Sequence, residues 1–286
     1  MSLPAGTQPF ELRHGGRTRG YLLHVPPSHQ NSPSPLVLAL HGATSNARLM
    51  EKFCGLSAKA DAAGFLVAYP SGTGALPNVL TWNAGACCGY AAQHQVDDVG
   101  FIAALLDDVA GRVAIDPRRI YATGMSNGAQ MVFRLAGEMA ERFAAVATVA
   151  GALGLPRVAP TRPISLMHFH GTEDEFTPFA GGRGARSVYG ADFLSVDATI
   201  GAWVEANGCP PEPRVELFPD RVGDGTAIVR KVYGPGRGGV EVRLVVIEGG
   251  GHTWPGRPPL PLALGKSTGN VQANDWIWEF FEKRSL

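Results

Sequence analysis

Ile120-Tyr121-Ala122-Thr123-Gly124-Met125-Ser126-Asn127-Gly128 is an apolar run that breaks at glycine and passes into a helical pattern. It places G-x-S-x-G between a strand and a helix, the setting in which a nucleophilic serine is held on a sharp turn. The serine backbone in such a turn is strained and adjacent side chains would clash, so small neighbours are needed; Gly124 and Gly128 supply them. The turn lifts the Ser126 hydroxyl above the sheet. The free N–H groups that open the helix aim at the same place, which makes the Asn127 amide a candidate oxyanion donor.

Working outward, short β-branched runs recur, each followed by a small-residue turn and a segment of helical spacing. Strands are predicted at Tyr21 to Val25, Leu36 to Leu40, Phe65 to Tyr69, Ile120 to Thr123, Ala145 to Val149, Ile164 to Phe169 and Val242 to Ile247. Several are apolar on both faces, as buried parallel strands are. Helices are predicted at Asp97 to Val113, Asn127 to Met139, Ser195 to Ala206 and Asp275 to Lys283, with Asp97 and Asp98 suited to a helix start. This alternation predicts the α/β class with a mainly parallel sheet flanked by helices on both faces, and the G-x-S-x-G turn between strand and helix makes an α/β-hydrolase fold the expectation. The Gly- and Pro-rich stretches at Pro70 to Pro77, Phe179 to Gly190 and Gly234 to Gly239 read as loops, because the rhythm resumes after each. One domain over residues 1–286 is the expectation.

Bulk composition narrows the partners. Hydrophobic residues are 45% and charged residues 17% of the 286, enough for a sizeable core and too little charge for disorder. Lys+Arg and Asp+Glu balance at 25 each, which removes the electrostatic footprint of a nucleic-acid binder or of a protein held on an anionic membrane. Composition points to a small or neutral partner; with a nucleophilic serine in the chain a small or polymeric ester is the expected substrate, and oligomeric state is left open. The opening MSLPAGTQPFELRHGG has no apolar run of signal-peptide length and no later stretch approaches a membrane span, so the chain is expected to be soluble. Neither a metal set nor a P-loop is present in the pattern, and no cofactor is expected.

A serine hydroxyl needs a base, and the chain order of an α/β-hydrolase is serine, acid, histidine. His168, His170 and His252 follow Ser126. His252 lies in Gly249-Gly-Gly-His252-Thr-Trp-Pro-Gly256, just past a strong strand, where carboxyl-end loops build sites. His168 and His170 sit at alternate positions inside a strand, where packing or hydrogen bonding on one sheet face is the expected role. The strand ending at His170 is followed by Glu173, Asp174 and Glu175; spacing leaves all three open as the acid. A second oxyanion donor is expected after Leu36 to Leu40, in His41-Gly42-Ala43-Thr44: Ala43, with Thr44 next. His41 precedes the serine and is expected to be structural.

These motifs, with Trp82-Asn-Ala-Gly-Ala-Cys87-Cys88-Gly and Val96-Asp-Asp-Val-Gly-Phe101, resemble the polyhydroxybutyrate depolymerase and feruloyl esterase-like family of α/β-hydrolases from about Phe10 onward. The resemblance implies a secreted or periplasmic serine esterase acting on hydroxyalkanoate or phenolic esters, with Asp174 as acid. Acyl transfer or peptide cleavage on the same triad, or a scaffold that binds without turnover, are the alternatives. Trp82 and Trp254 are candidates to stack on an aryl or chain ester. Relatives carry cysteines near Gly137 and Gly236, and both are missing here. Cys54 follows the oxyanion loop and Cys87-Cys88 lies in the Trp82 loop, both after neighbouring strands, so Cys54 is expected to bridge to one of that pair, Cys88 ahead of Cys87, with Cys209 free, closing a loop of roughly 30 residues for about 3 to 4 kcal/mol.

Overall fold

The computed structural model describes residues 3–155, 157–258 and 264–286. The strands are β1 (Gly6–His14), β2 (Arg17–Val25), β3 (Ser34–Leu40), β4 (Leu66–Pro70), β5 (Thr73–Leu76), β6 (Val79–Thr81), β7 (Ile115–Met125), β8 (Ala145–Val149), β9 (Ser165–Gly171), β10 (Gly182–Arg183), β11 (Asp192–Phe193), β12 (Arg214–Phe218), β13 (Ala227–Tyr233) and β14 (Val242–Glu248). Ten of them form one sheet in the order β1-β2-β4-β3-β7-β8-β9-β14-β13-β12, while β5–β6 and β10–β11 are separate hairpins. The six strands from β4 to β14 run parallel, and the two at each edge are antiparallel. This is the α/β-hydrolase architecture.

Helices α1 (Ala47–Cys54), α2 (Leu56–Ala63), α3 (Gly89–Gln93), α4 (Asp98–Arg112), α5 (Asn127–Glu138), α6 (Val196–Asn207) and α7 (Ala273–Phe281) complete the chain. Alternation along each central strand sorts them onto two faces. Leu36, Leu38 and Leu40 of β3 pack in one core with buried residues of α4, α5 and α6, whereas Val37 and Ala39 pack in the other with α1, α2 and α7. Central strands buried on both faces are the ones the sequence marks. β1, β12 and β13 escape it: no position of β1 or β12 is buried, and all three carry charged side chains.

The start of α4 gives its two aspartates different roles. Asp97 is the cap, accepting from the Gly100 N–H at 2.9 Å. Asp98 is buried, paired with the buried Arg19 at 2.6 Å, and accepts the Asn83 N–H at 2.8 Å. That pair anchors the loop carrying Trp82 to β2 and α4.

The expected Cys54–Cys88 bridge is not formed. Cys54 is a free, buried thiol in the core under α1 and α7, on one face of the sheet, while Cys88 lies over the start of α5, 3.7 Å from Gln130 Oε1, on the other. Closeness of the two loops at one end of the sheet does not bring side chains across it. Cys88 instead lies against its neighbour Cys87, and Cys209 is free, as expected. A Cβ built on Gly236 would stand 2.6 Å from Cys209 Sγ and 2.7 Å from the Asn207 carbonyl oxygen. Gly236→Cys is accordingly expected to bridge to Cys209 and to raise stability by about 3 to 4 kcal/mol on the chain-entropy model, less the cost of shifting that carbonyl. Thiol titration of the denatured, unreduced variant checks it; two reactive thiols at positions 209 and 236 would refute it.

Candidate active site

Ser126 sits between β7 and α5 with φ 56° and ψ −122°, a left-handed conformation costly for any residue but glycine. Surrounding bonds hold it there: its N–H donates to the Val149 carbonyl at 2.9 Å and its carbonyl accepts from the Gln130 N–H at 3.0 Å. A Cβ at Gly124 would lie 2.6 Å from the Gly128 carbonyl oxygen, and one at Gly128 would collide with the His41 and Leu40 carbonyls. The G-x-S-x-G glycines are required by backbone contact between β7, α5 and the end of β3.

Asp174 follows β9 and His252 follows β14, adjacent parallel strands. His252 Nδ1 lies 2.7 Å from Asp174 Oδ2, and both residues are buried, at 4% exposure each. An ionised carboxylate only accepts, so Nδ1 carries the hydrogen and Nε2 keeps a lone pair. Asp174 Oδ1 accepts the Phe176 and Thr177 N–H groups, both at 2.8 Å. Burial pushes this carboxyl upward, but His252, His170 and the Thr177 N–H outweigh it and hold the group below its usual range. The two loops are stapled: Glu173 N–H donates to the Gly250 carbonyl at 2.8 Å and Gly249 N–H to Thr172 Oγ1 at 2.9 Å. Glu173 and Glu175 are exposed.

His168 and His170 lie on one face of β9, fully buried, His168 Nε2 being 3.0 Å from His170 Nδ1. His41 is buried at the end of β3; its Nε2 accepts the Gly72 N–H at 3.0 Å and its Nδ1 donates to the Gly42 carbonyl at 2.7 Å. Burial lowers all three imidazoles, His41 to about 4. An unfolded histidine titrates near 6.5, so between about pH 6.5 and the folded value the unfolded chain takes up protons that the folded chain refuses. Their contribution is undiminished above about pH 6.5 and is lost as pH falls toward 4. For His41 alone the loss is about 3 kcal/mol by pH 4. Urea midpoints measured from pH 7.5 to 4.5 should fall, with a shallower fall for His41→Gln; a flat wild-type midpoint would contradict the burial of neutral rings.

The oxyanion candidates meet at the serine. Gly42 lets the loop after β3 close on it, a Cβ there standing 3.3 Å from Ser126 Cβ. Ala43, Asn127 and Ser126 line one small cavity of about 40 Å³ with Cys88, Gln130 and Tyr189. Thr44, exposed and with φ 61°, turns its hydroxyl back onto the Ala43 carbonyl at 2.6 Å. The Asn127 side chain also clamps the Trp82 loop to the elbow, accepting the Trp82 N–H at 2.7 Å and donating to the Trp82 carbonyl at 3.1 Å.

Neither tryptophan is placed to stack on a substrate. Trp82 is 0% exposed, donates Nε1–H to the His41 carbonyl at 2.9 Å and packs on the His41 ring; Trp254 is 1% exposed and donates to Asn274 Oδ1 at 2.9 Å. Each indole tip has its partner inside the protein, so both rings support the loops from beneath. The groups that face Ser126 and His252 are others. A cleft of about 580 Å³ contains both residues and is lined by Leu49, Met50, Phe53, Phe176, Val188 and Leu264. Leu49 and Val188 at the cleft mouth are exposed at 50% and 62%. Phe176 lies over His252, ring centres 5.0 Å apart. These residues come from separate segments, and no local motif marks them; Phe176 alone could be suspected, for its closeness to the acid. Among the described residues, no cluster of three or more His, Cys, Asp or Glu side chains could hold a metal, and no helix is long and apolar enough to cross a membrane.

Known proteins agree with this architecture. Residues 19–170 match the model of the family described as esterase PHB depolymerase. The chain is 34% identical over 96% of its length to 83% of the protein named "Putative esterase NocK" of Nocardia uniformis subsp. tsuyamanensis. It is 30% identical over 77% of its length to feruloyl esterase B of Piromyces equi, of which it spans 39%. Among solved structures, acetyl xylan esterase from Aspergillus awamori superposes with a TM-score of 0.62 over 86% of this chain and 94% of that one; at 16% identity this speaks for the fold. The chain belongs to the esterase PHB depolymerase family and is a carboxylic ester hydrolase.

Proposed function

We propose that Ser126, His252 and Asp174 are the triad of this esterase, and that its substrates are hydroxyalkanoate or phenolic (feruloyl-type) esters. The observation that carries the triad is the 2.7 Å Asp174–His252 hydrogen bond, which leaves the Nε2 lone pair in the cleft that holds Ser126. Ser126 Oγ attacks the ester carbonyl as its proton passes to His252 Nε2. The carbonyl oxygen, now an anion, is received by the Ala43 and Asn127 N–H groups. Collapse expels the alcohol, which takes the proton from His252, and leaves an acyl-enzyme. Water then gives its proton to His252 and its oxygen to the carbonyl, and the acid leaves as Ser126 is regenerated.

The substrate class is supported by the apolar cleft and by the feruloyl esterase relatives. Work outside the cytoplasm belongs to the same proposal and rests on family resemblance. The reading of the whole chain as one hydrolase domain is supported by the single ten-stranded sheet that spans it. Fluorophosphonate labelling should modify Ser126, and a panel of p-nitrophenyl, feruloyl and hydroxybutyrate esters should show turnover on at least one of the last two. Folded protein that labels at Ser126 and cleaves only p-nitrophenyl acetate would retain the triad and overturn the substrate class. Phe53→Ala should raise KM for feruloyl or hydroxybutyrate esters by about tenfold, the loss of part of one ring's contact, and leave p-nitrophenyl acetate within about twofold. Equal losses on both substrates would show that Phe53 does not contact the longer group.

A further inference from the structure

Two fully buried imidazoles stand behind the acid and take no part in the chemistry above. They lie in an apolar core, His168 with its ring 5.7 Å from that of Phe133 and His170 with its ring edge-on to Phe179 at 5.9 Å. Polar rings there cost stability unless every nitrogen is satisfied, and apolar residues would fill the space without that cost. We infer that Thr148, His168 and His170 form a directed hydrogen-bond row whose end presents an N–H to the Asp174 turn, which makes His170 a positioning residue for the acid. The inference rests on Asp174 being the triad acid.

The row has one arrangement for neutral rings, and its far end forces it. His170 Nε2 is 2.8 Å from the Thr177 carbonyl and 3.5 Å from Asp174 Oδ2. Both are acceptors, so that nitrogen carries the hydrogen. His170 Nδ1 then has only a lone pair, and His168 Nε2 at 3.0 Å must donate to it. His168 Nδ1 is in turn an acceptor, and Thr148 Oγ1 at 2.8 Å donates. Burial keeps both rings neutral, so the order holds across the working range.

At the other end, the row grips the peptide that grips the carboxylate. Thr177 accepts from His170 through its carbonyl and donates its own N–H to Asp174 Oδ1 at 2.8 Å. Oδ2 is left between His252 Nδ1 at 2.7 Å and His170 Nε2 at 3.5 Å. The shorter contact is the working hydrogen bond. The longer one is electrostatic, and it resists rotation of the carboxylate away from His252. In metal sites, partners that orient a ligating carboxylate or imidazole from behind are worth about 10- to 100-fold, and the same order is expected for a carboxylate that must hold an imidazole.

Selective ¹⁵N-histidine NMR of the whole enzyme reads the row directly. Both rings should be Nε2–H tautomers from pH 6.5 to 8, whatever the substrate; an Nδ1–H tautomer at His170 overturns the inference. In activity, His170→Phe should lower kcat about tenfold or more, leave KM within about twofold, and move the acid limb of the kcat profile. The titratable groups facing position 170 are His168, Asp174 and His252. His170→Gln, whose amide N–H can stand where Nε2–H was, should restore most of the rate and the wild-type limb. Folded His170→Phe with wild-type kcat and profile would show that the rings only fill space. Should that variant fail to fold, Thr148→Val removes the only hydroxyl that donates to His168 Nδ1 and leaves the far end intact, so both rings should stay Nε2–H while the His168 Nδ1 resonance moves toward that of an unbonded lone pair. An Nδ1–H tautomer at His168, or an unmoved Nδ1 resonance, in that variant would also overturn the inference. A mild Asp174→Asn phenotype would instead sink the triad assignment, while the tautomers would still report on the row.

Discussion

Replacing Ser126 by alanine should lower ester hydrolysis by about 10⁵- to 10⁶-fold, replacing His252 by alanine should cost about as much, and the double variant should be no worse than either. The two side chains perform one event: without the base the hydroxyl keeps its proton, and without the hydroxyl the base has nothing to activate. What survives is the contribution of binding and of the Ala43 and Asn127 amides, which neither substitution touches. The Ser126 backbone is held by bonds to the Val149 carbonyl and the Gln130 N–H, so alanine can adopt the same turn without loss of fold. Steady-state kinetics with active-site titration checks the rates and circular dichroism the fold. Near-normal turnover by either folded variant, or losses that multiply in the double variant, would remove the proposed chemistry.

What the sequence makes legible follows the physics of burial. Central strands such as β3 and β8 are buried at every position and read as near-continuous apolar runs. β1 alternates exposure along its length, and its Thr, Gln, Glu and Arg residues give no run to find. The elbow is legible because three backbone segments meet there and leave room only for glycine. The cleft is not, because Leu49, Phe53, Phe176 and Val188 converge from segments remote in the chain. Trp82 and Trp254 mislead for a related reason. A glycine-rich, polar setting suggests exposure, yet each indole N–H has its acceptor in another segment, on His41 and Asn274, which only the fold supplies. The cysteines fail likewise: neighbouring strands bring two loops together, but the sheet stands between Cys54 and Cys88.

Among the three successive carboxylates, the fold separates what spacing could not, and Asp174→Asn tests the result. Asp174 Oδ1 takes two backbone N–H groups, from Phe176 and Thr177, while Glu173 and Glu175 stand in solvent. An asparagine in this place must put its carbonyl oxygen where those two donors point. Its NH₂ then faces His252 Nδ1, which can answer only with a lone pair, so the imidazole hydrogen moves to Nε2, the nitrogen that has to accept the serine proton. The geometry is preserved and the tautomer is wrong. The expected loss in kcat is about 10⁴-fold with KM little changed, whereas Glu173→Gln and Glu175→Gln should stay within about threefold. Stability supplies an independent check. The Asp174 carboxyl is held below its usual range, so its contribution is complete above about pH 4 and is lost as pH falls through the folded value. Asp174→Asn should therefore flatten the acid end of the stability profile as well as stop turnover. If Glu173→Gln or Glu175→Gln proves the crippling change while Asp174→Asn keeps the wild-type rate, the acid belongs to that glutamate, and the 2.7 Å bond to His252 is structural.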